Sequence, residues 1–370
     1  MSRQIFRVAL GMLLASVWCA PAAADYKLDI GYTQLQVELG EQTPTGAGVK
    51  VTQVEAGTTD SNYVNYYLPN TSDAEFTGKF FTPLTIPAGV SSHATTVGGL
   101  FYGSSSSIAP EISNIDVDMA SKWISRNYLN ILTKPPLVSS SRVANHSWVD
   151  QLSSATANVQ ILKRLDWVVH RDEYIQVVAM NNGTTNKALL GTSFNAVAVG
   201  LSNGGAASGS AALDSLYTAG RTRPDLVAPA SAASYATPMV SAAAALLVEV
   251  GHNGGGALST DPQVISTTNR SGSTIYNAER SEVVKAALMT GASRTSLNLT
   301  NTKNPGGYTV NTANGLNSSY GAGELNIYNS YRIIAAGEQN SSQDNPVGAG
   351  ADFGSAYFCV EPLVLFLEKS

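Results

Sequence analysis

A carboxylate, an imidazole and a hydroxyl stand at three distant points of this chain, each in a setting suited to proton transfer. Glu55 closes the run Val-Lys-Val-Thr-Gln-Val, and His93 opens the small-residue run Ala-Thr-Thr-Val-Gly-Gly. Ser234 precedes Tyr-Ala-Thr-Pro and a row of alanines. Serine is a weak nucleophile until a base removes its proton, and an imidazole base needs a third group to hold its tautomer. A serine at a helix N-terminus also lies beside unpaired backbone N–H groups, where a developing oxyanion is stabilised. Each residue has a plainer reading. Ser234 could be a helix N-cap, His93 a structural or surface histidine, and Glu55 a partly exposed strand-end carboxylate with Asp60 as its nearest substitute.

The elements that must position these groups alternate between strand and helix patterns. Strands are expected at Val49–Val54, Ile112–Val117, Ser141–Ser147, Tyr174–Ala179 and Ala196–Gly200. Helices are expected from His93 to Leu100, Met119 to about Leu132, Ala155 to Val169, and Ser234 to Val250, the last stopped by Gly251. A further helix is expected from Asp261 to Ser293, with Val283, Val284, Ala287 and Leu288 on one face, and a last one over Asn326–Ala336. Asn203–Ser210 reads as a Gly/Ser/Ala-rich loop and Gly306–Ser319 as a loop or hairpin. Strands alternating with helices imply an α/β fold: a doubly wound, mainly parallel sheet flanked by helices.

Composition narrows the function classes. Only 13% of the 370 residues are charged and the net charge is −5, so nothing favours nucleic acid or an anionic membrane. Arg3 and Arg7 precede an apolar run from Val8 to Ala20, and Ala22-Ala23-Ala24 ends in a small-residue site. That is the layout of a secretory signal peptide covering residues 1–24. No later segment is expected to span a bilayer. Cys19 leaves with the leader, so Cys359 has no partner within the chain and no disulfide framework is expected. Residues 25–338 then form one domain, and 339–370 a Gly/Ser/Asn/Gln-rich tail ending in the apolar run Leu363–Leu367. His146, His170 and His252 lack metal-ligand spacing, which leaves zinc hydrolysis unsupported.

The motifs together resemble the subtilisin-like serine proteases. Ser-Ala-Ala-Ser234-Tyr-Ala-Thr-Pro-Met-Val is similar to that family's Gly-Thr-Ser-Met-Ala-Thr-Pro-His-Val-Ala, and the match reaches back through Pro224-Asp225-Leu226-Val227-Ala228-Pro229. His93-Ala-Thr-Thr-Val-Gly-Gly resembles the histidine block His-Gly-Thr-His-Val-Ala-Gly. Gly46-Ala-Gly-Val-Lys-Val-Thr-Gln-Val-Glu55 resembles the first block, whose carboxylate is normally aspartate. The order carboxylate, histidine, serine is the family's own. Tyr320-Gly-Ala-Gly-Glu-Leu-Asn326 is similar to the start of its final helix, so the likeness spans about residues 30–337. A Glu-Asp-Ser arrangement, as in the related sedolisins, would not need His93.

The resemblance implies further roles. Val178-Ala-Met-Asn181-Asn182-Gly183 is similar to the block Ala-Gly-Asn-x-Gly, selecting Asn181 as the oxyanion donor, with Asn182 as the alternate if the turn shifts by one residue. Met180 replaces a glycine and is expected to narrow the pocket before the scissile bond. Asn145-His-Ser-Trp resembles the strand that pairs with extended substrate, which assigns Ser147, Trp148 and Val149 to substrate binding; a core tryptophan is the alternative for Trp148. Ala232-Ala233 replaces Gly-Thr, removing a hydroxyl beside the oxyanion. The stretch from Asp25 to Gly46 is too short for the inhibitory propeptide that most secreted relatives carry. The function implied is a secreted serine endopeptidase acting through an acyl-enzyme, extracellular or periplasmic and monomeric, with polypeptide as its partner. A peptide-binding module without turnover and an esterase remain alternatives. No cofactor is needed for the chemistry; the family makes structural calcium plausible in the Asp60–Asp73 loop, though no ligand pattern marks it.

Overall fold

β-Branched residues surround Gln53 in Val51–Glu55 (β1), and every residue of the strand is buried. That pattern belongs to a parallel strand covered on both faces. The remaining strands of its sheet are Phe80–Pro83 (β2), Asn114–Met119 (β3), Val143–His146 (β4), Ile175–Ala179 (β5), Val197–Leu201 (β6) and Leu226–Ala228 (β7). They form one seven-stranded sheet in the order β7-β6-β5-β4-β1-β3-β2, parallel throughout. The doubly wound, parallel α/β fold expected from the sequence is the one observed. This structure is a computed structural model. It describes residues 25–338 except 132–133, 184–187, 207–213, 215, 218–220, 260–264 and 301–304, together with Gly350–Ala351, Tyr357–Val360 and Leu363–Phe366, which pair as three antiparallel strands. The expected leader, 1–24, lies outside the described residues, as do much of the 339–370 tail and of the Asn203–Ser210 loop.

The principal helices are Tyr32–Leu39 (α1), Ser92–Tyr102 (α2), Ala155–Asp172 (α3), Ala233–Gly254 (α4), Ser281–Gly291 (α5) and Ile327–Ala335 (α6). Side chains alternate across the pleat, so β1 addresses two environments. Gln53 and Glu55 face α2, where Gln53 Nε2 donates to the Ala94 carbonyl at 2.9 Å. Asn145, paired with Gln53 in register, faces α4 and accepts from Ser241 Oγ at 3.0 Å. Thr52 and His146 point to the opposite face, Thr52 bonding Ser141 and His146 meeting the edge of Trp123. From β1 the chain builds β2 and β3 on one side, then crosses to β4 on the other. The carboxyl ends of β1 and β4 therefore flank a topological switch point, where parallel α/β sheets place their ligands.

Three expectations need correction. The helix from Met119 to Leu132 is shorter: Met119 ends β3, and a helical turn at Ala120–Lys122 passes into a π turn ending at Asn127. Gly251 does not stop α4, which runs on to Gly254. A Cβ at Gly251 would come within 2.7 Å of the backbone at Ala278 and Glu279, so glycine is required there for close packing. The Asp261–Ser293 segment is not one helix; Ser266–Thr268 and Thr274–Tyr276 pair as a hairpin before α5. One segment, Ala233–Leu258, is long and apolar enough to cross a bilayer by length and composition alone. Its apolar window is 83% buried within the fold, where its alanines allow close packing against strands and helices.

Candidate active site

Glu55 lies at the carboxyl end of β1 and is only 2% exposed. Its Oε2 is 2.7 Å from His93 Nδ1. An ionised carboxylate only accepts, so Nδ1 carries the proton and Nε2 of the neutral ring is left as the base. His93 is the second residue of α2, whose N-cap Ser91 accepts from the Ala94 N–H. The cap fixes the first turn, and the turn fixes the ring. Hydrogen bonding to Glu55 raises the His93 pKa above the ordinary 6.5, burial opposes it, and the carboxylate charge adds to the rise. The longer arm of glutamate thus reaches the imidazole directly. Asp60, the substitute carboxylate, is committed to its own turn, accepting from the Asn62 and Val64 N–H groups and from the Tyr66 hydroxyl.

Ser234 is the second residue of α4, and Ala232 occupies the N-cap without a side-chain bond. The N-cap reading of Ser234 therefore fails: among the described residues neither its hydroxyl nor its N–H has a hydrogen-bond partner. Capping comes instead from a distant loop, where Asn182 Oδ1 accepts from the Ala233 N–H at 2.7 Å. Proline at Pro238 removes the donor that would satisfy the Ser234 carbonyl four residues earlier. Ser147 Oγ takes that place, donating to Ser234 O at 2.8 Å while accepting from Asn145 Nδ2 at 2.9 Å. The end of β4 is thereby tied to the first turn of α4. Among the described residues no hydrogen bond joins His93 to Ser234; the rings of His93 and Tyr235 lie against one another, centroids 6.1 Å apart.

The other expected site residues divide. Asn181 is buried and its Oδ1 accepts from the Gly183 N–H at 3.0 Å. Asn182 is held at the first turn of the serine helix through its Oδ1, which accepts from the Ala233 N–H. Met180 is fully buried, and a Cβ at Gly191 would meet its sulfur at 2.8 Å; it packs inward against that turn. Trp148 is 8% exposed and lies edge-on to His146, on the sheet face opposite Glu55, with Val149 half-buried beyond it. That is the core-tryptophan alternative. Asn145 is fully buried with both ends of its amide bonded. His252 bonds Glu279. No group of three or more His, Cys, Asp and Glu side chains among the described residues is gathered to hold a metal ion.

Two features escaped the sequence reading. Gln53 donates to the free oxygen of Glu55, and period-two spacing along β1 could have suggested it. A cavity of about 470 Å³ also opens between α2 and α4, lined by Thr96, Gly99, Leu100, Tyr235 and Met239 with Asp73 at its rim. A Cβ on Gly99 would meet no atom within 4 Å, so glycine keeps this space open.

No protein-family model and no curated protein matches the chain. Among solved structures it is similar to the prenylagaramide maturation protease PagA, at 17% identity over 81% of this chain and 98% of that one, with a TM-score of 0.52. It is also similar to the patellamide maturation protease PatA, at 15% identity over 79% of this chain and 98% of that one, with a TM-score of 0.50. At these identities the likeness establishes the fold, a subtilisin-like α/β arrangement.

Proposed function

We propose that this protein is a secreted serine endopeptidase with a Ser234–His93–Glu55 triad. The observation that carries the proposal is the 2.7 Å bond from His93 Nδ1 to a buried carboxylate, beside the N-terminus of a helix whose second residue is Ser234. Ser234 Oγ attacks the scissile carbonyl and passes its proton to His93 Nε2. Glu55 stabilises the imidazolium that results, and His93 then protonates the leaving amine. Water repeats the sequence on the acyl-enzyme. The unpaired Ser234 N–H and the amide of Asn182, or of Asn181, stabilise the tetrahedral oxyanion. The Oγ–Nε2 hydrogen bond forms as substrate closes the site, since such contacts are commonly long in unliganded enzymes. Extended polypeptide adds along the backbone of Ser147–Val149, and the cavity beside Tyr235 takes residues on the leaving-group side.

The fold shared with two maturation proteases supports peptide-bond hydrolysis as the reaction. The leader at 1–24 supports action outside the cytoplasm. A serine-directed phosphonate tests the assignment: it labels Ser234 in the folded wild type, and Ser234→Ala abolishes both labelling and digestion of an unfolded protein. Ester turnover without peptide turnover identifies an esterase. Peptide retention without label identifies a binding module.

A further inference from the structure

Glu55 does not stand alone beneath His93. Its Oε1 accepts from Gln53 Nε2 at 2.8 Å, and the same amide nitrogen donates to the Ala94 carbonyl, one residue past His93, at 2.9 Å. Gln53 Oε1 accepts from the Tyr102 hydroxyl at the far end of α2. All of these side chains except His93 are essentially sealed from solvent. The amide orientation is determined by its neighbours: a carboxylate and a carbonyl can only accept, and the phenol supplies the donor. Close packing keeps the phenol in place, since a Cβ at Gly98 would come within 2.5 Å of the Tyr102 oxygen.

A glutamate has one more rotatable bond than an aspartate, so an unbraced carboxylate at this position samples more positions relative to the imidazole. We propose that Gln53, held by Tyr102 and Ala94, is a positioning residue that locks the Glu55 carboxylate onto His93, the brace by which glutamate serves as orienting group at this site. Gln53 acts through Glu55 and touches no reacting atom. Its catalytic consequence rests on the function proposed above, whereas the locking of Glu55 does not.

The test uses Gln53→Met, which keeps length without the donor, and Tyr102→Phe, which removes one oxygen. Histidine NMR titration reads the His93 pKa and its Nδ1 proton in the wild type and both variants. Gln53→Met should bring the His93 pKa down towards the ordinary 6.5 and broaden the Nδ1 proton, and Tyr102→Phe should give a smaller fall. Where the wild type hydrolyses peptide, Gln53→Met should lower kcat by up to about 100-fold, the scale of a misplaced catalytic group, with KM little changed. A folded Gln53→Met protein with unaltered His93 titration overturns the brace, whatever the peptidase assay shows. If Gln53→Met does not fold, an unaltered titration in Tyr102→Phe overturns it equally. A His93 shift in a protein that never labels with phosphonate supports the brace while rejecting the peptidase.

Discussion

Two histidines flank the same strand and meet opposite fates. His93 approaches β1 from one face, bonds the Glu55 carboxylate, keeps 40% of its side chain exposed, and has a raised pKa. His146 sits on β4 opposite Val54, projects to the other face, and is fully buried among Trp123, Trp148 and the neutral Gln176. Burial pushes its pKa down to about 4, only partly offset by the bond to Gln176. An imidazole with a carboxylate and access to solvent is a base; an imidazole without either is a packing element. Histidine chemistry here is set by which face of the sheet a residue joins.

The largest effect is expected from erasing the difference on the His93 side. Glu55→Gln preserves shape but removes the anion, and in a Ser-His-carboxylate triad such a change costs about 10⁴ in kcat. Here kcat should fall on that scale, with the His93 pKa dropping from its raised value, both readable by steady-state kinetics and histidine NMR. Retained activity would show that Glu55 orients nothing. In the wild type, activity should rise with pH through a pKa above 6.5 if, as proposed, neutral His93 is the base.

Next comes stability against pH. The unfolded chain gains a proton on His146 near pH 6.5 that the fold refuses until about 4, so this group's contribution is complete above 6.5 and is lost as pH falls towards 4. The loss is about 3 kcal/mol. His93 has the opposite sign: its bond to Glu55 favours the fold below 6.5, and that contribution disappears as pH rises through the folded pKa. Urea unfolding at pH 7 and 4.5 should show a smaller pH loss in His146→Phe than in the wild type. Equal losses would remove His146 from the explanation.

A conversion of the buried site should be smaller. Gln176→Glu supplies His146 with the partner that His93 already has, so its pKa should climb well above 4. The fold should be destabilised by about 1–3 kcal/mol, since desolvating an ion pair offsets much of its attraction. An unmoved His146 titration would break the comparison. The smallest effect belongs to the open space on the His93 side. Gly99→Leu should stabilise α2 by up to about 1 kcal/mol through helix propensity. It should also lower kcat/KM selectively for peptides bulky on the leaving-group side; uniform kinetics would mean that the cavity binds no substrate.

The strands and helices that carry the proposed triad were legible because their patterns are local. Val51–Val54 is nearly all β-branched, and α4 is a run of small apolar residues too long for a strand. Legibility failed where a local signal had a tertiary cause. Gly251 looks like a helix stop, but it exists so that the backbone at Ala278 can approach. The hairpin at Ser266–Tyr276 was absorbed into a helix because the strong pattern of Val283, Val284, Ala287 and Leu288 was extended upstream, past the turn signal Asn269-Arg-Ser-Gly272. Trp148 could be assigned to pocket or core from its motif alone, and the side of the sheet it joins places it in the core.

Residue types and their order, read without coordinates, were enough to name a carboxylate, an imidazole and a hydroxyl, to assign each to an element, and to anticipate a parallel sheet. Those follow from side-chain chemistry and from periods of two and 3.6, which neighbours in the chain impose. Folding alone decided that Asn182 caps the serine helix, that Ser147 occupies the carbonyl freed by Pro238, and that Gln53 and Tyr102 stand behind Glu55. Hydrogen bonds between distant segments depend on the rotation of a helix and the choice of a rotamer within a few tenths of an ångström. Only the packing of the whole molecule sets those.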